Sequence, residues 1–79
     1  MDIYLEKIEP DTNCFRFYAI RTEPDFFEEQ ALVVQWGRIG SRGRTMVRGS
    51  GNRRECGDLA IRIVRLRLRH GYIMMQAGS

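Results

Sequence analysis

The sequence predicts an α+β fold in which a small antiparallel β-sheet of four to five strands packs against one C-terminal α-helix. Short β-branched and aromatic segments, separated by turn residues, fill the first 50 positions. The stretch that follows carries helix signals at both of its ends. With 79 residues, of which 43% are hydrophobic and 29% charged, the chain has the composition of one globular domain. We therefore expect a single domain over residues 1–79.

The first two strands are predicted on either side of a turn. Residues 3–8 (IYLEKI) and 14–20 (CFRFYAI) are rich in aromatic and β-branched side chains, which favour strands. Residues 10–13 (PDTN) between them combine proline with Asp and Asn, which are typical of turns. Residues 22–30 are acidic and contain a proline, so they are predicted as a connecting loop.

A hairpin is predicted next. Residues 32–36 (LVVQW) begin a third strand, and the glycine-bracketed segment 39–44 (IGSRGR) reads as a hairpin loop. Residues 45–48 (TMVR) then pair back as the fourth strand.

The segment Arg53–Arg69 has two interpretations. Alternation of apolar residues and arginines towards its end favours a strand, but 17 residues is too long for a typical strand. Asn52 followed by Glu55 resembles a capping box, and Gly71 stands where a left-handed helix cap belongs. We therefore predict a helix, with an apolar stripe formed by Cys56, Ala60, Ile63, Val64 and Leu68.

Charge is distributed unevenly along the chain. Residues 1–30 hold eight acidic and three basic residues, net −5, whereas residues 31–79 hold ten basic and two acidic residues, net +8. Twelve of the 13 basic residues are arginine, whose planar guanidinium forms bidentate contacts with phosphate or carboxylate. Phosphate recognition and salt bridges between the two halves both fit this pattern, and a high genomic G+C content would also favour arginine codons.

No enzymatic constellation is evident. The single histidine, His70, stands near the predicted helix end, where a dipole-stabilising or solvated role is expected. Cys14 and Cys56 lack metal-site spacing and are expected to be small buried hydrophobes. No apolar run is long enough to cross a bilayer, and the N-terminus lacks signal-peptide features. We expect a cytoplasmic protein that is not an enzyme and needs neither metal nor cofactor.

The segment Gln35–Gly43 (QWGRIGSRG) resembles the signature of the WGR domain, which is named for Trp36-Gly37-Arg38. The resemblance covers roughly residues 3–73, and its further matching positions are Asn13, Arg16, Phe17, Tyr18, Phe27, Leu32, Val33, Gly71 and Tyr72. It implies a small antiparallel sheet crossed by one helix. WGR domains occur as the DNA-responsive module of poly(ADP-ribose) polymerases and as stand-alone bacterial chains, so the resemblance implies binding rather than ADP-ribosylation.

The chemistry of the motif agrees with nucleic-acid binding. On a strand, Trp36 and Arg38 project to the same face, and Gly37 between them lets another backbone approach closely. The indole is suited to stacking on a sugar or an end base, and the guanidinium to pairing with a phosphate. Further basic candidates on the hairpin and at the helix start are Arg42, Arg44, Arg48 and Arg53.

Structural roles compete with this interpretation. Trp36 is equally suited to anchor the core, and Arg38 is equally suited to pair with an acidic residue of the first half, such as Glu6 or Glu9, and serve the fold alone. Four helix arginines are expected to form a solvated face: Arg62, Arg65, Arg67 and Arg69.

The leading hypothesis is a non-catalytic nucleic-acid-binding module that contacts the DNA backbone or ends. The alternative is a protein–protein interaction or self-assembly domain in which the acidic half of one chain meets the basic half of another, giving a homo-oligomer.

Overall fold

The computed structural model describes residues 1–78 and confirms the predicted α+β fold. Its elements are β1 (Asp2–Glu9), a single 3-10 turn (Pro10–Thr12), β2 (Cys14–Pro24), β3 (Gln30–Arg38), β4 (Arg44–Gly51), α1 (Arg53–Arg69) and β5 (Ile73–Gly78). The strands form one antiparallel sheet in the order β4-β3-β2-β1-β5. Ser79, the last residue of the predicted domain, lies outside the described residues.

The predicted loop over residues 22–30 is confirmed at residues 25–29 but is wrong at residues 22–24 and 30, which belong to strands. β2 continues to Pro24 and β3 begins at Gln30, which leaves residues 25–29 as the connection. Backbone pairing sustains the longer hairpin, and Thr22 lies opposite Leu32. A 2.8 Å ion pair along β2, from Arg21 to a Glu23 carboxylate oxygen, offsets part of the acidic charge.

The predicted helix and its capping box are confirmed. Asn52 Oδ1 accepts a hydrogen bond from the Glu55 amide at 2.8 Å, and Glu55 Oε1 accepts one from the Asn52 amide at 2.9 Å. Gly71, with φ of 94°, reverses the chain into β5, which pairs with β1. No helix among residues 1–78 combines the length and apolar character that crossing a bilayer requires.

The core lies between the helix and one face of the sheet. Its largest fully buried side chains are Leu5, Ile20, Leu32, Val34 and Cys56, and the helix further adds Ala60, Ile63 and Val64.

Two expectations about burial need correction. Leu68 is exposed, because at about 100° per residue it is turned well away from the stripe formed by Cys56, Ala60 and Ile63. Cys14 is only half-buried, since it is the first residue of β2 at the end of the sheet, whereas Cys56 is buried as predicted.

Candidate nucleic-acid interface

An open cleft of about 730 Å³ lies on the helix side of the sheet. β2 and β3 form much of its lining, β4 contributes on one side, and the C-terminal part of α1 with Tyr72 contributes on the other. Its volume is typical of ligand sites. Within residues 1–78, no acidic side chain lines this cleft, whereas four arginines do: Arg16, Arg38, Arg48 and Arg67.

Trp36 combines both of the roles that the sequence left open. Its ring packs against the core and is stacked with the Tyr18 ring, with a centroid distance of 6.5 Å and an interplanar angle of 26°. It is nevertheless only half-buried, and it lines the cleft together with Arg38. Its indole is therefore held by the core while part of it faces the cleft.

Arg38 is not paired with Glu6 or Glu9, so that alternative is wrong. Other residues occupy both carboxylates: the Tyr4 hydroxyl donates to Glu6 at 2.9 Å, and Lys7 lies 3.5 Å from Glu9. Within residues 1–78, Arg38 forms no ion pair.

Neutral groups hold the Arg38 guanidinium instead. Arg38 donates to the side-chain oxygen of Asn13 at 3.3 Å and to its main-chain carbonyl at 3.5 Å. The guanidinium carbon also lies 5.2 Å from the centroid of the Phe15 ring. These contacts orient the positive charge without neutralising it.

Arg16 is a cleft residue that matches the family pattern in sequence but was not among the predicted binding residues. The register of β2 and β3 places it directly opposite Arg38. Like charges opposite each other on antiparallel strands are destabilising, and a bound anion would relieve that repulsion. That Arg16 lies beside Arg38 can be predicted only from the strand register, since the two residues are far apart in sequence.

Arg67 corrects the expectation that all four helix arginines form a solvated face. Its guanidinium carbon lies 4.3 Å from the Tyr18 ring centroid and 6.0 Å from that of Tyr72. Its Nε is buried and has no hydrogen-bond partner in the part of the chain that the structure describes. At about 100° per residue, Arg67 continues the stripe of Cys56, Ala60 and Ile63, a signal that the sequence contained.

Gly37 serves the shape of the hairpin. A Cβ at this position would lie 2.6 Å from the Cα of Gly43, whose own φ is 66°. The predicted close backbone approach therefore comes from the same chain, and it lets the turn fold onto the strand beside Trp36.

The other predicted residues lie outside the cleft lining. Arg44 faces Trp36 across the strand pair and is exposed at the edge of the sheet, and Arg42 is exposed in the turn. The Gln35 amide donates to the Arg42 carbonyl at 2.6 Å, which fixes the turn. Arg53 begins the helix, about 20 Å along its axis from Arg67. Of the predicted binding residues, Trp36, Gly37, Arg38 and Arg48 line the cleft, whereas Arg42, Arg44 and Arg53 do not.

The described groups with displaced pKa values lie away from the cleft. Burial raises the pKa of the Cys56 thiol, and the charge of Glu55 adds to the effect. Burial and the hydrogen bond to Glu6 raise the pKa of Tyr4. Both shifts favour the neutral forms of these side chains.

Comparisons with known proteins agree with the motif. The model of the WGR domain family matches residues 1–78. An uncharacterized protein of Sinorhizobium fredii, named y4dW, is 34% identical over 70 residues. That alignment covers 89% of this chain but only 34% of the relative, so the chain spans about a third of the length of the protein it matches. Among solved structures, none matches the chain.

Proposed function

Because the chain belongs to the WGR domain family, whose members are nucleic-acid-binding modules in proteins related to poly(ADP-ribose) polymerases, we propose that it is a non-catalytic module that binds DNA. The proposed contacts are to the DNA backbone or to DNA ends, made by the arginine-lined cleft in a cytoplasmic setting. The name of the Sinorhizobium fredii relative states no activity, so the proposal does not draw on it.

The observation that carries the proposal is the electrostatic character of the cleft. Four arginines line one open cleft, and within residues 1–78 no carboxylate lines it. Arg16 and Arg38 lie opposite each other, so a phosphate between them would replace a repulsion with two attractions. A cleft that served only the fold would gain stability from an acidic side chain at this place.

Trp36 supplies the second part of the proposed contact. Core packing holds its ring at the cleft, so little side-chain entropy remains to be lost on binding. Stacking of an aromatic ring on a base contributes about 1–3 kcal/mol. A sugar or end base on the indole, with a phosphate on the neighbouring arginines, would use both features at once.

The arrangement favours backbone recognition over sequence recognition. Asn13, the amide side chain in the lining, already accepts from Arg38. Arginines that meet phosphates set position and carry no sequence information directly. Arg42 and Arg44 would extend the contact past the rim of the cleft, and Arg53 would be reached only by a duplex that runs along the helix.

The proposal is tested by titrating the protein with four labelled oligonucleotides at two salt concentrations: blunt-ended duplex, nicked duplex, covalently closed duplex and single strand. We expect salt-sensitive binding to at least one of them, strongest where an end or nick is present. Arg38→Ala is expected to weaken binding while a thermal melt shows that the domain stays folded.

Arg62→Ala is the matched control, because Arg62 is exposed on the helix and does not line the cleft. Absence of binding to every oligonucleotide at low salt would refute the proposal. Equal losses in the Arg38 and Arg62 variants would refute the assignment of the cleft.

A further inference from the structure

The connection between β2 and β3 presents two aromatic side chains to solvent. Phe26 is 100% exposed and Phe27 is 93% exposed. Two hydrogen bonds restrain the loop, since the Asp25 carboxylate accepts from the amides of Phe27 at 3.3 Å and Glu28 at 3.0 Å. Each ring would bury 150–250 Å² in a contact, which makes this pair a strong apolar anchor.

Three acidic residues accompany these rings, and no basic residue interrupts them: Asp25, Glu28 and Glu29. A surface that covers the loop therefore needs apolar area flanked by cations. The chain itself has such a surface on the outer side of α1.

Ile61, Arg65 and Leu68 follow one another at helical spacing on that outer side. Ile61 is 51% exposed and Leu68 is 45% exposed, so the stripe combines apolar area with an exposed guanidinium. Between Leu59 and Gly78 the sequence contains no acidic residue. The stripe is thus complementary to the loop in both polarity and charge.

We propose that the loop Asp25–Glu29 of one copy docks on the outer helix stripe Ile61–Arg65–Leu68 of a second copy. Every copy carries both surfaces, and each is exposed in the described chain. Because the two surfaces differ, the contact is heterologous: a docked pair still has one free loop and one free stripe, so assembly proceeds head to tail.

The contact area sets the expected strength. Two phenylalanine rings supply roughly 300–500 Å² on the loop side, below the roughly 800 Å² per partner of a stable interface. The hydrogen bonds of Asp25 order the loop in advance and reduce the entropic cost of docking. We therefore expect weak association that grows with protein concentration and weakens with salt.

Sedimentation velocity on the full chain without nucleic acid tests the proposal, using two double variants. The loop variant carries Phe26→Ser and Phe27→Ser, and the helix variant carries Ile61→Gln and Leu68→Gln. Each should stay monomeric where the wild type assembles, with association weakened by roughly tenfold or more. An equimolar mixture should form 1:1 dimers and nothing larger, because it contains one intact loop and one intact stripe per pair.

The control removes exposed apolar area elsewhere, with Val47→Thr and Ile73→Thr, and should assemble like the wild type. All variants are checked for folding by circular dichroism.

A second experiment tests whether opposite charges contribute to the contact, using the single variants Glu28→Lys and Arg65→Glu. Each charge variant alone should associate more weakly, and their mixture should recover association. A wild type that stays monomeric at millimolar concentration, double variants that assemble unchanged, or a mixture without dimers would overturn the proposal. None of these outcomes depends on whether the cleft binds DNA.

Discussion

Replacing Arg48 by glutamine isolates one charge of the cleft. Arg48 lines the cleft from β4, is exposed, and forms no ion pair within residues 1–78, so glutamine should remove the charge while leaving the fold intact. If each of the four cleft arginines neutralises one phosphate, the slope of log affinity against log salt is about −3.6 on duplex DNA. Affinity would then fall roughly 150-fold between 50 and 200 mM salt. Arg48→Gln should reduce the slope to about −2.7, for a fall of roughly 40-fold.

The assay is fluorescence anisotropy of a labelled nicked duplex over a salt series, with Arg62→Gln as the matched control. Arg62 carries the same charge on the exposed helix surface, so its loss should change the slope far less than the loss of Arg48. Arg53→Gln tells whether the bound duplex reaches the start of the helix. A wild-type slope near zero, or equal slopes in the Arg48 and Arg62 variants, would refute the reasoning.

Three predictions concern stability. Gly57→Ala should raise the free energy of unfolding by about 1 kcal/mol in urea titration, because a methyl group there meets nothing within 4 Å and glycine weakens a helix; no gain would contradict this. Gly37→Ala should cost about 1–3 kcal/mol in the same titration, since the new methyl group would lie 2.6 Å from the Gly43 Cα; an unchanged midpoint would show that the turn moves freely. Stability should decline as the pH rises above about 8.5, the usual thiol pKa at which Cys56 ionises in the unfolded state, because burial raises the pKa of Cys56 in the folded state and keeps its thiol protonated there. Cys56→Ala should make the decline in stability less steep, and an equally steep decline in the variant would show that another titrating group causes it.

Local chemistry made the helix predictable. Asn52 and Glu55 form the reciprocal cap that their spacing indicates, and Gly71 takes the left-handed conformation expected of it. The ends of the strands were harder to predict. Thr22 and Gly51 extend their strands through backbone pairing, which the pattern of side chains does not reveal.

The candidate site was predictable only in part. Strand alternation sufficed to place Trp36 and Arg38 together, and both line the cleft. Arg16 depends on the register between β2 and β3, which no local pattern fixes. Arg67 was misjudged because an arginine on a helix is usually solvated, whereas here two tyrosine rings shelter its guanidinium.

The most direct test of the cleft uses Trp36, which is the only tryptophan of the chain. Its emission reports on the surroundings of one ring that lines the cleft, so a titration with nicked duplex DNA needs no attached label on the protein. We predict a saturable change in tryptophan emission that added salt reverses and that Arg38→Ala weakens. Emission that stays constant while an independent assay shows the same DNA bound would contradict binding in the cleft.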